Sequence, residues 1–475
     1  MRTIAIAADA RQRGWEIDLV GDLDDAGIAI ARRMLGEVEV VALRGSPLAA
    51  ELSARAQRAA VIHLDSYWPV PDLSRTGALI SNMQDGPYGV RSADLAIDAN
   101  LGAERWFAQP DRSGVQLAGI DLAVIRRQVL DQRGSASRGG TRPRVLLVMG
   151  GTDPLGLSAR VIRGLGEISA PLDLTVIDPR ERPEVLSAAA TSPHLVDVHG
   201  FVEDLPALAR HHDLVITAAG TSVWDFACMG LPMALVCAVD NQRAGYREVI
   251  GRKLAIGLGE PPHPDLEARI GSLSAVLGAD ADLASQAQSL MRAVDGLGTW
   301  RIVSAWDQLI RVPLSQRDTT AELTARLASL DDASLLFEWR NDPQTRSNSR
   351  SRGALVWSDH RSWMERSLAD SDRRLLIVES EGVPVATCRW DRLTSMDWEV
   401  SITMAPAARG RGLALSVLEA ATEALDADAP VRMMAVVHTD NLASQRLFER
   451  AGYLPHLPPD DQGFRTLAKW RLLGA

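Results

Sequence analysis

EVSITM (Glu399–Met404) is followed by RGRGLA (Arg409–Ala414) and then by LSVLEAATEAL (Leu415–Leu425). The first stretch alternates apolar and polar residues as a strand does, and the third has apolar residues at helical spacing. The small residues between them let a backbone approach an anion closely, and the first N–H groups of the following helix have no partner within the helix. This order predicts a strand, a phosphate-binding turn and a helix.

A second motif follows in NLASQRLFERAGY (Asn441–Tyr453). Together the two motifs resemble the acetyl-CoA site of the GNAT family of N-acetyltransferases, and the resemblance covers roughly residues 320–475. It implies a GNAT α/β domain with acetyl-CoA as cofactor. The alternative is an ordinary strand–turn–helix unit with solvated arginines. The cofactor contacts that the resemblance implies are Met404, Arg409, Gly410, Arg411, Gly412, Leu413, Ala414, Asn441 and Ser444.

Acetyl transfer by direct attack of an amine needs a neutral amine, a donor that polarises the thioester carbonyl and a route for the thiolate's proton. Glu399 matches the family's frequent general base, and Asp397 is the alternative base. A surface partner of an arginine is the other interpretation of Glu399. Phe448 occupies the position of the tyrosine that is the usual acid, so His438 is the candidate proton relay. A solvated histidine at a strand end is the alternative interpretation of His438.

The acceptor end resembles that of aminosugar N-acetyltransferases in the same superfamily. The matching residues are Trp339, Arg340, Asn341 and His360, with Trp363 nearby. An aromatic face, a guanidinium and an amide suit a sugar nucleotide. Trp339 and Trp363 as core residues of amphipathic helices are the alternative.

The composition indicates a soluble cytoplasmic protein of two or three domains, with 475 residues of which 46% are hydrophobic and 24% charged. A net charge of −10 argues against a nucleic-acid partner. The three cysteines form neither a metal-ligand nor a disulfide pattern. Since no apolar run reaches about 18 residues, we expect no membrane partner. The amino terminus, MRTIAIAADARQRG, predicts an amphipathic helix rather than a signal peptide.

Upstream of the GNAT-like region, short apolar runs alternate with helical stretches, which is typical of parallel sheets with crossover helices. We predict an amino lobe over residues 1–131, a linker, a carboxyl lobe over 144–312 and a third domain over 320–475. The predicted strands are 16–20, 38–43, 60–64, 78–81 and 95–98 in the first lobe and 145–149, 172–177, 195–199, 214–217 and 233–236 in the second. The fold class is therefore α/β throughout.

Glycines and polar residues follow the carboxyl ends of several predicted strands of the second lobe. They lie in GGTDP (150–154), AAGTS (218–222) and DNQ (240–242). These stretches resemble the carboxyl lobe of the GT-B fold, and in particular the UDP-sugar hydrolase of pseudaminic acid biosynthesis; the resemblance covers about residues 1–312. It implies that a UDP-sugar binds with its diphosphate at a glycine turn, its ribose at the Asp225 position and its sugar near the Asn241–Gln242 pair. The substrate contacts that it implies are Asp65, Tyr67, Gly150, Gly151, Thr152, Asp153, Phe201, Val202, Thr221, Ser222, Asp225, Asn241 and Gln242.

The chain departs from that family in one respect that bears on catalysis. The family's first strand and its Gly-Xaa-Gly-His loop, with the proposed catalytic histidine, should precede Met1. Either the start was assigned too far downstream, which the cost of an exposed apolar sheet edge favours, or the lobe has lost hydrolysis. His63 is the candidate substitute, and a packed structural histidine is the alternative.

The two resemblances belong to one pathway, because both chemistries act on an amino-sugar nucleotide. We therefore predict a bifunctional enzyme that acetylates a UDP-aminosugar in its carboxyl domain and has a hydrolase-like amino region. A non-catalytic nucleotide-sugar binding module and a glycosyltransferase fused to an acetyltransferase are the alternatives. The sequence carries no indication of the oligomeric state.

Overall fold

A computed structural model describes residues 2–36, 38–42, 52, 55–73, 75–107, 114–135, 142–150, 153, 155–278, 280–312, 323–349, 352–425 and 429–472. The chain divides into two compact units. The first unit comprises Met1–Arg44, Ala99–Ala103 and Gly119–Trp300, and the second comprises Gly45–Asp98, Glu104–Ala118 and Arg301–Ala475. This division distributes the predicted amino lobe over both units.

The first unit begins with a helix, as the sequence predicts. Its first four elements are α1 (Arg2–Gln12), β1 (Asp18–Gly21), α2 (Asp25–Leu35) and β2 (Glu39–Ala42), and the two strands pair in parallel. Helix α2 begins where Asp24 accepts a hydrogen bond from the Gly27 N–H (2.7 Å). It ends at Gly36, whose positive φ of 66° suits a residue without a Cβ.

The main sheet of the first unit has six parallel strands in the order β12-β11-β10-β7-β8-β9. The strands are β7 (Arg144–Val148), β8 (Asp173–Ile177), β9 (Leu195–His199), β10 (Leu214–Ala218), β11 (Met233–Val236) and β12 (Ile256–Gly259). This is the strand order of doubly wound nucleotide-binding sheets, in which ligands bind at the carboxyl ends of the strands where the order reverses. In this sheet that point lies between β7 and β10.

Helices cover the sheet, so its central strands are buried and read as continuous apolar runs. The helices of this part, including those that precede or follow the sheet in sequence, are α4 (Arg127–Leu130), α5 (Leu157–Leu165), α6 (Pro183–Ala190), α7 (Leu205–Ala209), α8 (Ser222–Met229), α9 (Arg243–Gly251), α10 (Leu266–Gly271), α11 (Leu273–Leu277) and α12 (Asp280–Ala293). Gly164 lets α5 and α10 approach closely, because a Cβ there would stand 3.0 Å from the Cβ of Ile270.

The second unit contains a smaller parallel sheet of four strands in sequential order. The strands are β3 (Val61–Asp65), β4 (Leu79–Gln84), β5 (Leu95–Asp98) and β6 (Val115–Ala118), and α3 (Ala103–Trp106) lies between the last two in sequence. Helix α13 (Gly298–Arg311) belongs to this unit from Arg301 onward.

The second sheet of this unit has seven strands in the order β13-β14-β15-β16-β17-β19-β18. The strands are β13 (Thr324–Leu327), β14 (Arg373–Ser380), β15 (Val383–Arg392), β16 (Asp397–Met404), β17 (Val431–His438), β18 (Leu454–Leu457) and β19 (Phe464–Arg471). The helices are α14 (Ala333–Asn341), α15 (Pro343–Ser347), α16 (Trp357–Ala369), α17 (Ala414–Glu423) and α18 (Leu442–Arg450). All neighbouring strands are antiparallel except β16 and β17.

These sheets confirm the predicted α/β class. No helix in the described ranges is long and apolar enough to cross a membrane.

Candidate functional site

The parallel strands β16 and β17 diverge. Residues Asp397–Glu399 of β16 pair with residues Arg432–Met434 of β17, and the pairing stops there. Strand β16 nevertheless continues to Met404 and β17 to His438. Beyond these residues each strand keeps its other neighbour, β15 or β19. The divergence therefore opens a gap in the sheet whose facing edges carry main-chain groups that the two strands do not satisfy for each other.

The glycine turn lies after the open end of β16. Gly410 and Gly412 have positive φ angles of 71° and 77°, and a Cβ on either would meet no atom within 4 Å. Helix α17 follows, its N-cap residue Leu413 supplies no side-chain hydrogen bond, and its first turn contains no acidic residue. The N–H groups at the start of α17 are therefore open to an anion.

The Arg409 side chain holds this turn in place by hydrogen bonds to other residues of the domain. Its guanidinium donates to the Asp342 carboxylate (2.7 Å) and to the Thr345 hydroxyl (2.7 Å). Asp342 also caps α15 by accepting from the Thr345 N–H (2.9 Å), and this bond together with Arg409 keeps the pKa of the Asp342 carboxyl below its usual range. The Arg409 side chain thus ties the turn to the α14–α15 junction, while Arg411 is exposed.

The two candidate bases differ in their partners. Asp397 accepts from Arg432 (2.7 Å) and from the Thr394 hydroxyl (2.9 Å), so its carboxylate is already engaged. The half-buried Glu399 has no side-chain hydrogen bond or ion pair among the described residues. By strand alternation Glu399 lies on the same face of the sheet as Ser401 and Thr403.

Ser401 and Thr403 line a cavity of about 400 Å³ between the sheet and helices α14 and α16. Its lining residues are Leu336, Trp339, Arg340, Ser349, Leu355, Asp359, His360, Trp363, Leu375, Thr387, Arg389, Ser401 and Thr403. Three of the four predicted acceptor residues therefore come together in one cavity. The fourth, Asn341, braces the loop that follows α15, because its side chain exchanges two hydrogen bonds with the main chain of Leu355 (2.7 and 3.3 Å).

Guanidinium groups give the cavity positive charge. Burial lowers the pKa of Arg340, and the nearby Arg346 and Arg389 lower it further. Arg389 is partly neutralised by Asp391, whose carboxylate it contacts at 2.7 Å. Sequence patterns named only Arg340, because Arg389 joins it through the fold.

His360 is only 3% exposed and stacks on Trp363, with ring centroids 5.6 Å apart. Its Nε2 lies 2.9 Å from the Ala333 carbonyl oxygen, which requires a hydrogen on Nε2. Nδ1 is buried and has no hydrogen-bond partner in the described part of the chain. Burial lowers the pKa of His360, which keeps the ring neutral near pH 7.

At the end of β17, His438 Nδ1 accepts from the Asp440 N–H (3.1 Å), and its ring lies edge-on to Phe464. Asn441 caps α18 by accepting from the Ser444 N–H (3.1 Å). Phe448 is buried against Tyr453, with ring centroids 5.0 Å apart, so it belongs to the core.

In the first unit, the side chain of Asp153 lies between the end of β7 and the start of α5. Gly151 and Thr152 lie outside the described residues, and Gly150 adopts a positive φ of 77°. Asp153 has a fully buried side chain (0% exposed) that accepts from the N–H groups of Leu157 (2.8 Å) and Ser158 (2.9 Å) at the start of α5. It also pairs with Arg182 at 3.0 Å. This carboxylate already occupies the position at α5 that an anionic ligand would take.

The turn after β10 is open instead. Thr221 and Ser222 are exposed at the start of α8, and no side chain caps this helix. Gln242 lies nearby, since a Cβ on Gly220 would stand 3.7 Å from its Nε2. Phe201, at the end of β9, is 82% exposed.

The remaining predicted substrate contacts of the first unit are Asp225, Asn241 and Val202. Asp225 forms an ion pair with Arg126 (2.9 Å), and burial raises the pKa of its carboxyl although Arg126 offsets part of this shift. Asn241 is exposed in the turn after β11, and Val202 is half-buried beside Phe201.

Three residues of the second unit complete the predicted set. Tyr67 is exposed and donates to Asp85 (2.7 Å), and Asp65 ends β3. His63 on the same strand shares a hydrogen bond with Ser81 Oγ (3.0 Å), which also accepts from Trp306 Nε1 (2.9 Å). His63 therefore takes part in a buried structural network.

Most of the seven-stranded part of the chain matches a known protein family. The model of the acetyltransferase (GNAT) domain matches residues 322–454, which confirms the predicted GNAT domain in the carboxyl-terminal region. Among solved structures, the aminoglycoside acetyltransferase AAC(6')-Ib in complex with coenzyme A is 19% identical over 32% of this chain and 95% of its own, with a TM-score of 0.28.

The chain is also similar to two curated proteins. The spore coat polysaccharide biosynthesis protein SpsG of Bacillus subtilis is 25% identical over 35% of this chain and 50% of its own length. The protein MJ1062 of Methanocaldococcus jannaschii is 19% identical over 58% of this chain and 55% of its own. The chain thus spans about half the length of these relatives. MurG of Acinetobacter baumannii is 16% identical over 65% of this chain and 95% of its own, with a TM-score of 0.47.

We predict that Asp153→Ala destabilises the first unit by about 3 kcal/mol, because it removes a helix cap and leaves Arg182 without one of its partners. Urea unfolding measures the effect. Asp204→Ala, which removes an exposed cap of α7 that accepts from Ala207 N (3.0 Å), is the matched control and should cost about 1 kcal/mol. Equal losses in the two variants would show that Asp153 has no more than a surface role.

His360 predicts a pH dependence of stability. In the unfolded chain a histidine takes up a proton below about pH 6.5, whereas burial keeps the folded pKa of His360 lower. Since the unfolded state then binds more protons, the contribution of His360 is present above pH 6.5 and is lost as the pH falls towards the folded pKa. Urea unfolding at pH 7.5 and 5.5 measures this contribution. Between these two pH values the free energy of unfolding should fall less for His360→Gln than for the unchanged chain. Equal falls in the free energy of unfolding would contradict this prediction.

Proposed function

We propose that the chain is an acetyl-CoA-dependent N-acetyltransferase of an amino-sugar nucleotide, and that its first unit binds nucleotide-sugars. The single observation that carries the acetyl-transfer proposal is the combination of the diverging strands β16 and β17 with the uncapped glycine turn before α17. The sugar-nucleotide proposal is supported by the arginines of the cavity and by the exposed residues after β9 and β10 in the first unit.

The cofactor site follows from two unsatisfied sets of main-chain groups. The N–H groups at the start of α17 suit the diphosphate of coenzyme A. The edges of the gap suit its pantetheine arm, whose two amides can hydrogen-bond to β16 and β17 as a short additional strand would. The thioester then lies beside the end of β16, where main-chain N–H groups near Met404 polarise its carbonyl.

Glu399 is the proposed general base. An amine is largely protonated at neutral pH and must lose a proton before it attacks the thioester. A carboxylate without an internal partner, on the face that carries Ser401 and Thr403 into the acceptor cavity, can take this proton directly or through water.

His438 is the proposed donor to the departing thiolate, because Phe448 has no acidic hydrogen. Since Nδ1 accepts from the Asp440 N–H, the neutral ring carries its hydrogen on Nε2, which can donate a hydrogen bond to the departing thiolate. The proton that the thiolate finally takes up is the one that the attacking amine releases.

The acceptor cavity suits a sugar joined to a diphosphate. Trp339 and Trp363 provide apolar faces for a sugar or a base, while Arg340 and Arg389 provide charge-assisted hydrogen bonds for phosphate oxygens. The mutual repulsion of Arg340, Arg346 and Arg389 would be relieved by an anion between them.

For the first unit we propose nucleotide-sugar binding at α8 rather than at α5. The start of α5 is occupied by the Asp153 carboxylate, whereas no side chain caps α8, and the Asp225 carboxylate in its first turn is paired with Arg126. A diphosphate at Thr221 and Ser222 would leave Phe201 free to stack on the base and Gln242 free to reach the sugar.

Hydrolysis of the nucleotide-sugar is the second candidate activity, and glycosyl transfer is the third. The engagement of His63 with Ser81 speaks against His63 as the water-activating group. Incubation of the protein with a UDP-aminosugar separates the cases: UDP release with water alone would establish hydrolysis, release only with a second sugar or lipid would establish glycosyl transfer, and binding without release supports the binding module.

The acetyltransferase proposal is tested with acetyl-CoA, a panel of UDP-aminosugars and mass spectrometry of the products. We predict that Glu399→Gln lowers kcat at pH 7 by about 100-fold or more, because the general base is lost, and leaves the acetyl-CoA Kd unchanged. Asp397→Asn is the control, since it removes a neighbouring carboxylate that is engaged with Arg432. A normal kcat in Glu399→Gln would exclude Glu399 as the base.

The acceptor class is tested at Arg340. Loss of a charge-assisted phosphate contact predicts that Arg340→Met raises KM for a UDP-aminosugar by about 10- to 100-fold. The KM for the same aminosugar without its UDP should change little. If both KM values rise equally, Arg340 supports the cavity rather than binding phosphate.

A further inference from the structure

The acetyltransferase sheet ends at strand β18, which is an edge strand. Its open side faces helix α13 of the preceding region. Gln308 Nε2 donates to the Tyr453 carbonyl (2.6 Å) and Arg301 Nε donates to the His456 carbonyl (2.9 Å). Both side chains are almost fully buried, at 1% and 2% exposed.

These two residues form one face of α13, because positions seven apart lie two helical turns apart on the same side. They satisfy carbonyl groups at and just before β18, whose sheet partner β19 lies on its other side. A sheet edge with unsatisfied polar groups is costly when buried and invites wrong pairing when exposed. Helix α13 therefore covers the edge of the sheet at β18.

The same helix is joined to the four-stranded sheet. Trp306 Nε1 donates to Ser81 Oγ on β4 (2.9 Å), and the Trp306 ring lies 5.2 Å from that of His63 on β3. Strand β6 also lies against β19. Helix α13 and β6 thus connect the two sheets of the second unit.

We infer that the four-stranded sheet, α13 from Arg301 onward and the acetyltransferase sheet unfold as one cooperative unit. Residues 45–98 and 104–118 then serve as a structural partner of the acetyltransferase domain, although they precede it by some 200 residues. The bonds of Gln308 and Arg301 are the links that make the two sheets interdependent.

The experiment is native-state hydrogen exchange of the full chain in increasing urea, read by mass spectrometry. We expect peptides from β3 and β4, from α13 and from β17 and β19 to open with the same free energy and the same urea dependence. Protection of β17 and β19 at urea concentrations at which β3 and β4 have already exchanged would overturn the inference. This measurement needs no substitution, so it does not depend on whether a variant folds.

A variant pair tests the link itself. Gln308→Ala leaves the Tyr453 carbonyl unsatisfied and should lower the midpoint of thermal unfolding of β3, β4, β17 and β19 together by about 3–8 °C. Gln286→Ala is the control: it removes the acceptor of the Met233 N–H in the first unit (2.9 Å) and should leave these four strands unchanged. A loss confined to one of the two sheets would overturn the inference.

Binding of coenzyme A provides a further test of the inference, and this test rests on the proposed function. Bound coenzyme A should raise the protection of β17 and also that of β3 and β4, because a ligand stabilises the whole unit that unfolds with its site. Protection of β17 alone would overturn the inference, whereas an absence of any effect would refute the cofactor site and leave the urea result to decide the inference.

Discussion

The acetyltransferase domain depends on the divergence of two parallel strands after a short paired stretch. Where β16 and β17 separate, their main-chain groups lose each other as partners, which would destabilise a sheet unless another group occupies the gap. The glycine turn, the uncapped start of α17 and the acceptor cavity all lie around the open end of β16. Arg409 fixes the turn by its bonds to Asp342 and Thr345, so that the shape of the site is set by the protein itself.

A comparison of satisfied and open polar groups distinguishes structural residues from candidate functional ones. Asp153, Asp397 and Asn341 match sequence motifs or positions, yet each has internal partners that account for its presence. Glu399 has no such partner within the described residues, and no side chain caps the start of α8. Motif residues are thus of two kinds, and only the hydrogen-bond geometry separates them.

Local patterns in the sequence were sufficient to predict many of the elements. Strands 95–98, 195–199 and 233–236 occur at the predicted residues, because short segments rich in apolar residues favour strands. Strand β12 was missed because its sequence, IGLG, contains two glycines, which are uncommon inside strands. The helix 415–425 was predicted to within two residues of α17.

Long-range relations could not be predicted in the same way. The approach of Arg389 to Arg340 depends on the register of β15 against β14 and on the packing of α14. The bond between Gln308 and the Tyr453 carbonyl joins residues that are distant in sequence, and neither carries a motif for it. Likewise, the capping role of Asp153 depends on a positive φ at that residue, and the GGTDP pattern alone does not specify it.

The most direct measurement is a crystal structure of the full chain with coenzyme A. The proposed cofactor site requires diphosphate oxygens at about 3 Å from main-chain nitrogens at the start of α17, and the pantetheine arm between the open ends of β16 and β17. Coenzyme A bound at any other place, with the gap between these strands empty, would contradict it.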